Sequence, residues 1–390
     1  MKHALIIILL LSALNCLSQS FVIDSIPGDG ILLNKGWKFT TGDNPDYARP
    51  GFNDNAWQSI NPTLDVHDSL PQLQNGICWL RLHLFLNSYL AKSPLSFIIQ
   101  QSGASEIYLN GTKIKSYGTV SADAIKVKAY DPLWKPLSLP FITGSDQVLA
   151  VRYALQRNVL YTKIFETENP ALSMRIMHTF NAVDYYHKNA SKLLSYMSLQ
   201  IGIGIMLMIL HFSFYFLYPS QKANLYFALF ACTWVLANFT QLNFWLYPGG
   251  VANKFYLGNG AFGLYILGYV FLLIAAYNFL ERKKDFFYYS LLMISGVAVI
   301  LDMWPYGLGW KIGGPIQEVL VQINLARIAL IAVSKKQRGA WIIAAGAICT
   351  FIFFVAFLLQ GTFTNTSFIL SLPELRIFTY EMFGLSLPVA

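Results

Sequence analysis

The sequence predicts a multi-domain chain: an exported all-β sandwich followed by an all-α bundle of seven transmembrane helices, the last one cut short. Three observations carry this expectation. The chain opens on a secretory signal, the next part alternates like β-strands, and the second half is a series of apolar runs longer than a soluble core needs. Composition agrees. Charged residues are only 12% and hydrophobic residues 55% of the 390, against about 25% charged in an ordinary soluble domain. Residues 21–190 read as a normal polar mixture, so the deficit falls on residues 191–390.

Met1-Lys2-His3 is a short basic start, Ala4 to Leu14 is an apolar stretch of 11 residues, and small polar residues continue to Ser20. This is too short to span a bilayer and reads as a signal peptide over residues 1–20. Of the four cysteines, Cys16 lies in the signal, Cys232 and Cys349 lie in apolar runs, and Cys78 stands alone in the exported domain. That domain therefore has no internal disulfide, no cysteine spacing suits zinc, and no cofactor or metal is expected.

Residues 21–155 carry the strand signals. In Trp79-Leu80-Arg81-Leu82-His83-Leu84-Phe85-Leu86 the leucines recur at every second position, which puts them on one sheet face and Arg81 and His83 on the other. Ser105 to Leu109, Asn110-Gly111 and Thr112 to Ile114 read as a hairpin, because Asn-Gly tolerates the positive φ angles of a two-residue turn. Leu95 to Ile99 and Val148 to Tyr153 are further strands. Short strands between Gly, Pro, Asn and Asp clusters suggest a β-sandwich. Residues 156–192 form the connector, read as a final strand, a turn and a short helix.

Residues 193–390 hold the membrane domain. The apolar runs are Leu193–Tyr218, Ala223–Tyr247, Phe255–Leu280, Phe286–Trp304, Pro315–Val333, Gly339–Gln360 and Glu374 to the end. A span needs about 20 apolar residues at about 1.5 Å each. The seventh run has 17 residues and would leave a carboxylate inside the bilayer, which predicts a chain that continues into the cytoplasm. The net charge of +8 is not read as nucleic-acid binding, because the basic residues of this half sit in short loops. With the sandwich outside, the inner loops carry Lys222, Arg282, Lys283, Lys284, Lys335, Lys336 and Arg338, and the outer loops only Lys254 and Lys311. The positive-inside rule and the signal peptide thus predict the same orientation, with the first domain periplasmic or extracellular and the bundle in the bacterial inner membrane.

Three stretches bring a resemblance into view. Asn53-Asp54-Asn55-Ala56-Trp57 with Asn61-Pro62, then Gly76-Ile77-Cys78-Trp79-Leu80-Arg81, then Glu106-Ile107-Tyr108-Leu109-Asn110-Gly111 resemble, in order, the signatures of the sugar-binding jelly-roll domain of glycoside hydrolase family 2. The resemblance implies a galactose-binding-like jelly roll in which Asp54 and Trp57 hold a loop against the sandwich, with Trp79, Asn110 and Gly111 as further motif positions. It also implies a ligand surface at the loop rim, where Trp37, Tyr47 or Trp134 would stack on a sugar. A family 2 hydrolase would need paired carboxylates on a separate barrel of about 250 residues, for which the exported region has no room.

The order of domains is similar to that of bacterial seven-transmembrane receptors with diverse intracellular signalling modules. Leu210-His211-Phe212-Ser213-Phe214-Tyr215 and Glu381-Met382-Phe383-Gly384-Leu385-Ser386-Leu387-Pro388 have the texture of their spans. The resemblance implies a sensor of an external small molecule, a saccharide among the candidates, that signals to a cytoplasmic histidine kinase or similar module in cis or in trans. A homodimer stays open. The rival expectation is a membrane-anchored component that binds or transports carbohydrate without signalling. A transporter would favour internal repeats and broken helices, which the sequence does not display.

No catalytic constellation emerges. None of the histidines precedes the pattern of a kinase phosphoacceptor, and no Gly-rich phosphate loop occurs. The remaining candidates are polar residues inside the spans: Asn238, Gln241, Asp302, Glu318, Gln322, Asn324, Arg327 and Glu381. Such groups are costly in lipid and face a bundle interior. Arg327 and Glu381 fall at overlapping depths and are expected to pair, either as static helix glue or as a switch that moves the seventh helix.

Overall fold

A computed structural model describes residues 21–302 apart from 67, 69–72, 74–75, 141–145, 158 and 160–169, together with 313–337 and a few positions between 340 and 352. Two compact units result. The first comprises the chain up to Ala190 and also Tyr247–Phe255; the second comprises Ser191–Leu246 and the chain from Tyr256 onward. Residues 1–20, where a signal peptide is expected, most of the sixth apolar run and all of the seventh lie outside the described residues.

The first unit is built of strands β1 (Phe21–Ile23), β2 (Ile31–Leu32), β3 (Lys38–Thr41), β4 (Gln58–Ser59), β5 (Ile77–Leu86), β6 (Leu95–Gln101), β7 (Ala104–Leu109), β8 (Thr112–Tyr117), β9 (Tyr130–Asp131), β10 (Leu137–Ser138), β11 (Asp146–Ala154), β12 (Leu172–His178) and β13 (Gly249–Gly250). One sheet runs β4-β3-β5-β11-β7-β8, with β1 parallel on β5; a second runs β10-β6-β12-β2. Leu80, Leu82, Leu84 and Leu86 of β5 and Leu149, Val151 and Tyr153 of β11 share one core with Phe97 and Ile99 of β6 and Leu172, Met174 and Ile176 of β12. Alternation is the cause: each strand turns every second side chain inward. The Tyr153 hydroxyl donates to the Ala171 carbonyl at 2.6 Å within that core.

The opposite face of the first sheet is covered as well. Trp79, Ala104, Ala150 and Ala154 pack there with Ala48 and Val127, and Tyr47 and Trp57 lie over them. Small alanines let the 44–57 loop approach the strands. The hairpin turn adopts the expected geometry, with φ 50° at Asn110 and 82° at Gly111.

The last strand departs from the expected boundary at residue 155. β12 pairs with β6 along its whole length, from Leu172 opposite Gln101 to His178 opposite Leu95. The sandwich therefore reaches His178. No turn intervenes; helix α1 (Thr179–Leu217) starts at the next residue and is 39 residues long.

The remaining helices are α2 (Lys222–Leu246), α3 (Val251–Phe279), α4 (Phe286–Asp302) and α5 (Gly314–Ser334). Among the described residues, α1, α2, α3 and the Ile316–Ser334 part of α5 are long and apolar enough to cross a membrane, and α4 is a shorter apolar helix. The count of seven is thus met only in part. Phe230 and Trp234 of α2, Leu273 and Tyr277 of α3, Leu291 of α4 and Leu325, Ile328 and Ala332 of α5 share the core of this unit. Met206, Phe216, Met293 and Leu330 are at least 60% exposed. Outward apolar side chains in such number suit a lipid solvent and would be a liability in water.

Candidate functional site

Asp54 organises the first polar site. Its Oδ2 accepts from Arg81 Nε at 2.9 Å and lies 2.8 Å from His83 Nε2, and its Oδ1 accepts from Lys38 Nζ at 2.8 Å. Asp54 and Arg81 are buried. Burial works against the Asp54 carboxylate, but hydrogen bonds from His83, Lys38 and Arg81 outweigh it and hold the group well below the usual carboxylate range. Arg81 also donates to the carbonyls of Tyr47, Arg49 and Phe52, and its guanidinium stands 5.8 Å from the Phe52 ring centre and 5.9 Å from that of Trp57. One buried cation thus ties the 47–57 loop to β5. The arrangement fastens the loop; every atom of Asp54 that could reach a ligand is already engaged.

The three residues expected to stack on a sugar are scattered in environment. Trp37 is 1% exposed and its indole N–H donates to the Leu33 carbonyl at 2.7 Å. It is a core residue and presents no face to a ligand, which corrects the expectation. Tyr47 is half-buried, edge-on to Phe52 and Trp57 at 4.9 and 5.0 Å. Trp134 is half-buried against Ile98, Met177 and Ala182. The structure does not bring these three together.

A cleft of about 300 Å³ opens elsewhere in the first unit, lined by Lys115, Tyr117, Tyr130, Pro132, Lys135 and Pro248 among others. Tyr117 and Tyr130 stack with ring centres 6.1 Å apart and planes 10° off parallel. Lys115 Nζ stands 5.8 Å from the Tyr117 ring centre. Tyr130 belongs to β9, whose Asp131 faces Gly249 of β13 and accepts from Lys254 Nζ at 3.3 Å. Burial, partly offset by Lys254, raises the Asp131 carboxyl.

In the second unit Asn324 and Arg327 belong to one network. Arg327 Nη2 donates to Asp285 Oδ2 at 2.6 Å and to the Tyr277 hydroxyl at 3.1 Å, and Nε donates to Asn324 Oδ1 at 2.9 Å. Tyr277 in turn donates to Asp285 Oδ1 at 2.8 Å. Glu318 accepts from the Tyr269 hydroxyl at 2.6 Å, and Gln241 accepts from Tyr265 at 2.7 Å. Gln322 is buried, and Asn238 caps the Trp234 carbonyl of its own helix. Asp302 ends α4. Glu381, the expected partner of Arg327, lies outside the described residues; among those described, the carboxylate on Arg327 is Asp285.

No protein-family model matches the chain, and no curated protein sequence matches it. Solved structures offer weak likenesses to glycoside hydrolase family 2 proteins. A β-glucuronidase of Bacteroides uniformis is 18% identical over 37% of this chain and 17% of its own, with a TM-score of 0.27. A glycosyl hydrolase family 2 member from Bacteroides cellulosilyticus is 15% identical over 38% of this chain and 21% of its own, at 0.28. A Bifidobacterium dentium β-glucuronidase is 12% identical over 35% and 22%, at 0.25. The chain spans under a quarter of the length of each of these.

Sequence reasoning missed Asp285 and the cleft. Asp285 sits beside three basic residues in a short loop, so it reads as a solvated charge until Arg327 is seen above it. The cleft joins β8, β9 and the segment at Pro248, and no local pattern announces a site assembled from positions that far apart.

Proposed function

We propose that this chain is the sensory and transmembrane part of a bacterial signal-transduction receptor. In this reading a jelly-roll domain outside the inner membrane takes up a small molecule, a saccharide among the candidates. Seven spans then carry the response to a cytoplasmic histidine kinase or similar module, in cis or in trans. The observation that carries the reading is the junction at residue 178. The last sandwich strand, β12, passes into a 39-residue helix with no intervening loop, whereas a passive tether favours a flexible linker. About 20 residues of that helix suffice to cross the hydrocarbon. The basic loops at 282–284 and 335–336 support placing that side in the cytoplasm.

The test uses the full chain in membrane vesicles with a single reporter cysteine at Lys283 (Lys283→Cys, with Cys16, Cys78, Cys232 and Cys349 replaced by Ala). Saccharides added on the outer side should change the rate at which a thiol reagent labels the inner side. Binding that leaves the labelling rate untouched would assign the chain to the non-signalling, carbohydrate-binding class instead.

A further inference from the structure

We propose that the cleft between β8 and β9 binds a saccharide bearing a carboxylate, a sugar acid of one or two units. This rests on the reading above that the domain faces outside and takes up a small molecule, and it names the chemistry of that ligand.

Size comes first. About 300 Å³ is at the low end for a small-molecule site, which suits one or two sugar rings and leaves no room for a long chain. The walls come second. Tyr130, half-buried and backed face to face by the buried Tyr117 ring, stands beside Pro132 and Leu137, an apolar surface of the kind that packs on the C–H face of a pyranose. No hydrogen bond from either phenol to the protein is present among the described residues, so both hydroxyls can serve sugar hydroxyls. Burial pushes the Tyr117 phenol up to about 12, so it stays a donor at any physiological pH.

Charge gives the class. Lys38, Lys113 and Lys126 are ion-paired, with Asp54, Glu106 and Asp123, and none of the three lines the cleft. Lys115 and Lys135 are exposed, line the same cleft, and form no ion pair among the described residues. The acid at this end of the cleft, Asp131, is turned to Lys254. Two unneutralised ammonium groups around an aromatic wall would leave a neutral sugar's site with unused charge, whereas a carboxylate answers both. Two point charges with no guanidinium fork are too few for a polyphosphate.

The site also bears on how binding would be felt. Tyr130 pairs with Gly250, and Pro248 lines the cleft, so a ligand there touches the Tyr247–Phe255 segment that belongs to this unit.

The test is titration calorimetry on the full chain in detergent, with D-glucuronate, D-galacturonate and digalacturonate against D-glucose and D-galactose. Acids should bind, and the neutral sugars should bind at least about tenfold more weakly, the scale of one charge-assisted contact. The Lys115→Gln/Lys135→Gln pair should lose about tenfold or more for the acids, Tyr130→Ala should lose a similar amount, and Lys92→Gln should change nothing. Raising salt should weaken acid binding in the parent and not in the double variant. Equal affinity for neutral and acidic sugars, unchanged acid affinity in the double variant, or no acid binding at all would each overturn the proposal. Acid binding at the cleft without any change in labelling at residue 283 would spare this site and sink the receptor reading; a neutral sugar that drives the labelling change would do the reverse.

Discussion

Asp285 receives the guanidinium of Arg327 at 2.6 Å, joining the loop that precedes α4 to α5. The side chains are 30% and 35% exposed, so the pair is partly screened and is worth about 1 kcal/mol or less on its own. Tyr277, which bonds both partners, makes the three a unit. Arg327→Gln and Asp285→Asn should each lower the melting temperature of the detergent-solubilised chain, and the double variant should fall short of the sum. Strict additivity would show that the contact carries no coupling.

Asp54 should be the acid-sensitive point of the first unit. Its folded carboxyl lies below its unfolded value, so the stabilisation is fully present above the ordinary carboxylate range near about 4 and is lost as pH falls through the lower folded value. Thermal stability of this unit should hold steady from neutrality to about pH 5 and decline below about pH 4. Asp54→Asn should cost about 3–5 kcal/mol at neutral pH, because it leaves the buried Arg81 without its counter-charge. The same variant should flatten the acid decline. A variant as acid-labile as the parent would move the effect to other carboxylates.

How far the sequence discloses this arrangement depends on the range of the signal. β5 is legible because Leu80, Leu82, Leu84 and Leu86 repeat with the period of a strand, and the hairpin because Asn110-Gly111 permits only a few turns. The same pattern misleads about Arg81. Alternation assigns it to the outer face, which is correct, and outer usually means solvated, yet it is 0% exposed because the 47–57 loop folds over it. Trp37 shows the converse: an aromatic in a polar neighbourhood looks available for stacking, and only the tertiary fold reveals that it fills the core. The end of the sandwich is misread for a similar reason, since β12 gains its place by pairing with β6, some 75 positions earlier. In the bundle, apolar length is enough to locate helices, while the partner of Arg327 depends on which loop returns to it.

The turn at Asn110-Gly111 offers a local test of the hairpin. Asn110 does more than accept φ 50°: its side chain takes the Val148 N–H at 2.9 Å and donates to Gln147 at 2.6 Å, tying the turn to β11. Asn110→Ala should therefore cost about 2 kcal/mol, the left-handed penalty plus a lost bond to a partly buried amide. Gly111→Val places a branched side chain at φ 82° with its Cβ 3.3 Å from Pro50 Cδ, and should cost at least about 1–2 kcal/mol. Urea unfolding of the first unit, followed by tryptophan fluorescence in the full chain, measures both. A Gly111→Val variant as stable as the parent would mean the turn rearranges.

Trp37 separates a core role from a ligand role most directly. Its ring is enclosed with Leu33 and Phe39 in the sandwich core, and its N–H is satisfied by the Leu33 carbonyl. Trp37→Ala should remove about 3–5 kcal/mol through lost burial and the cavity left behind. Trp37→Phe should cost less, because most of the apolar volume remains and only the indole N–H bond is given up. Neither substitution should alter saccharide affinity in protein that remains folded at the assay temperature, since no face of the ring reaches solvent. Trp37→Phe is the informative variant: full stability with a tenfold loss of saccharide binding would return this residue to the ligand surface and would require a conformation in which the core opens beside β3.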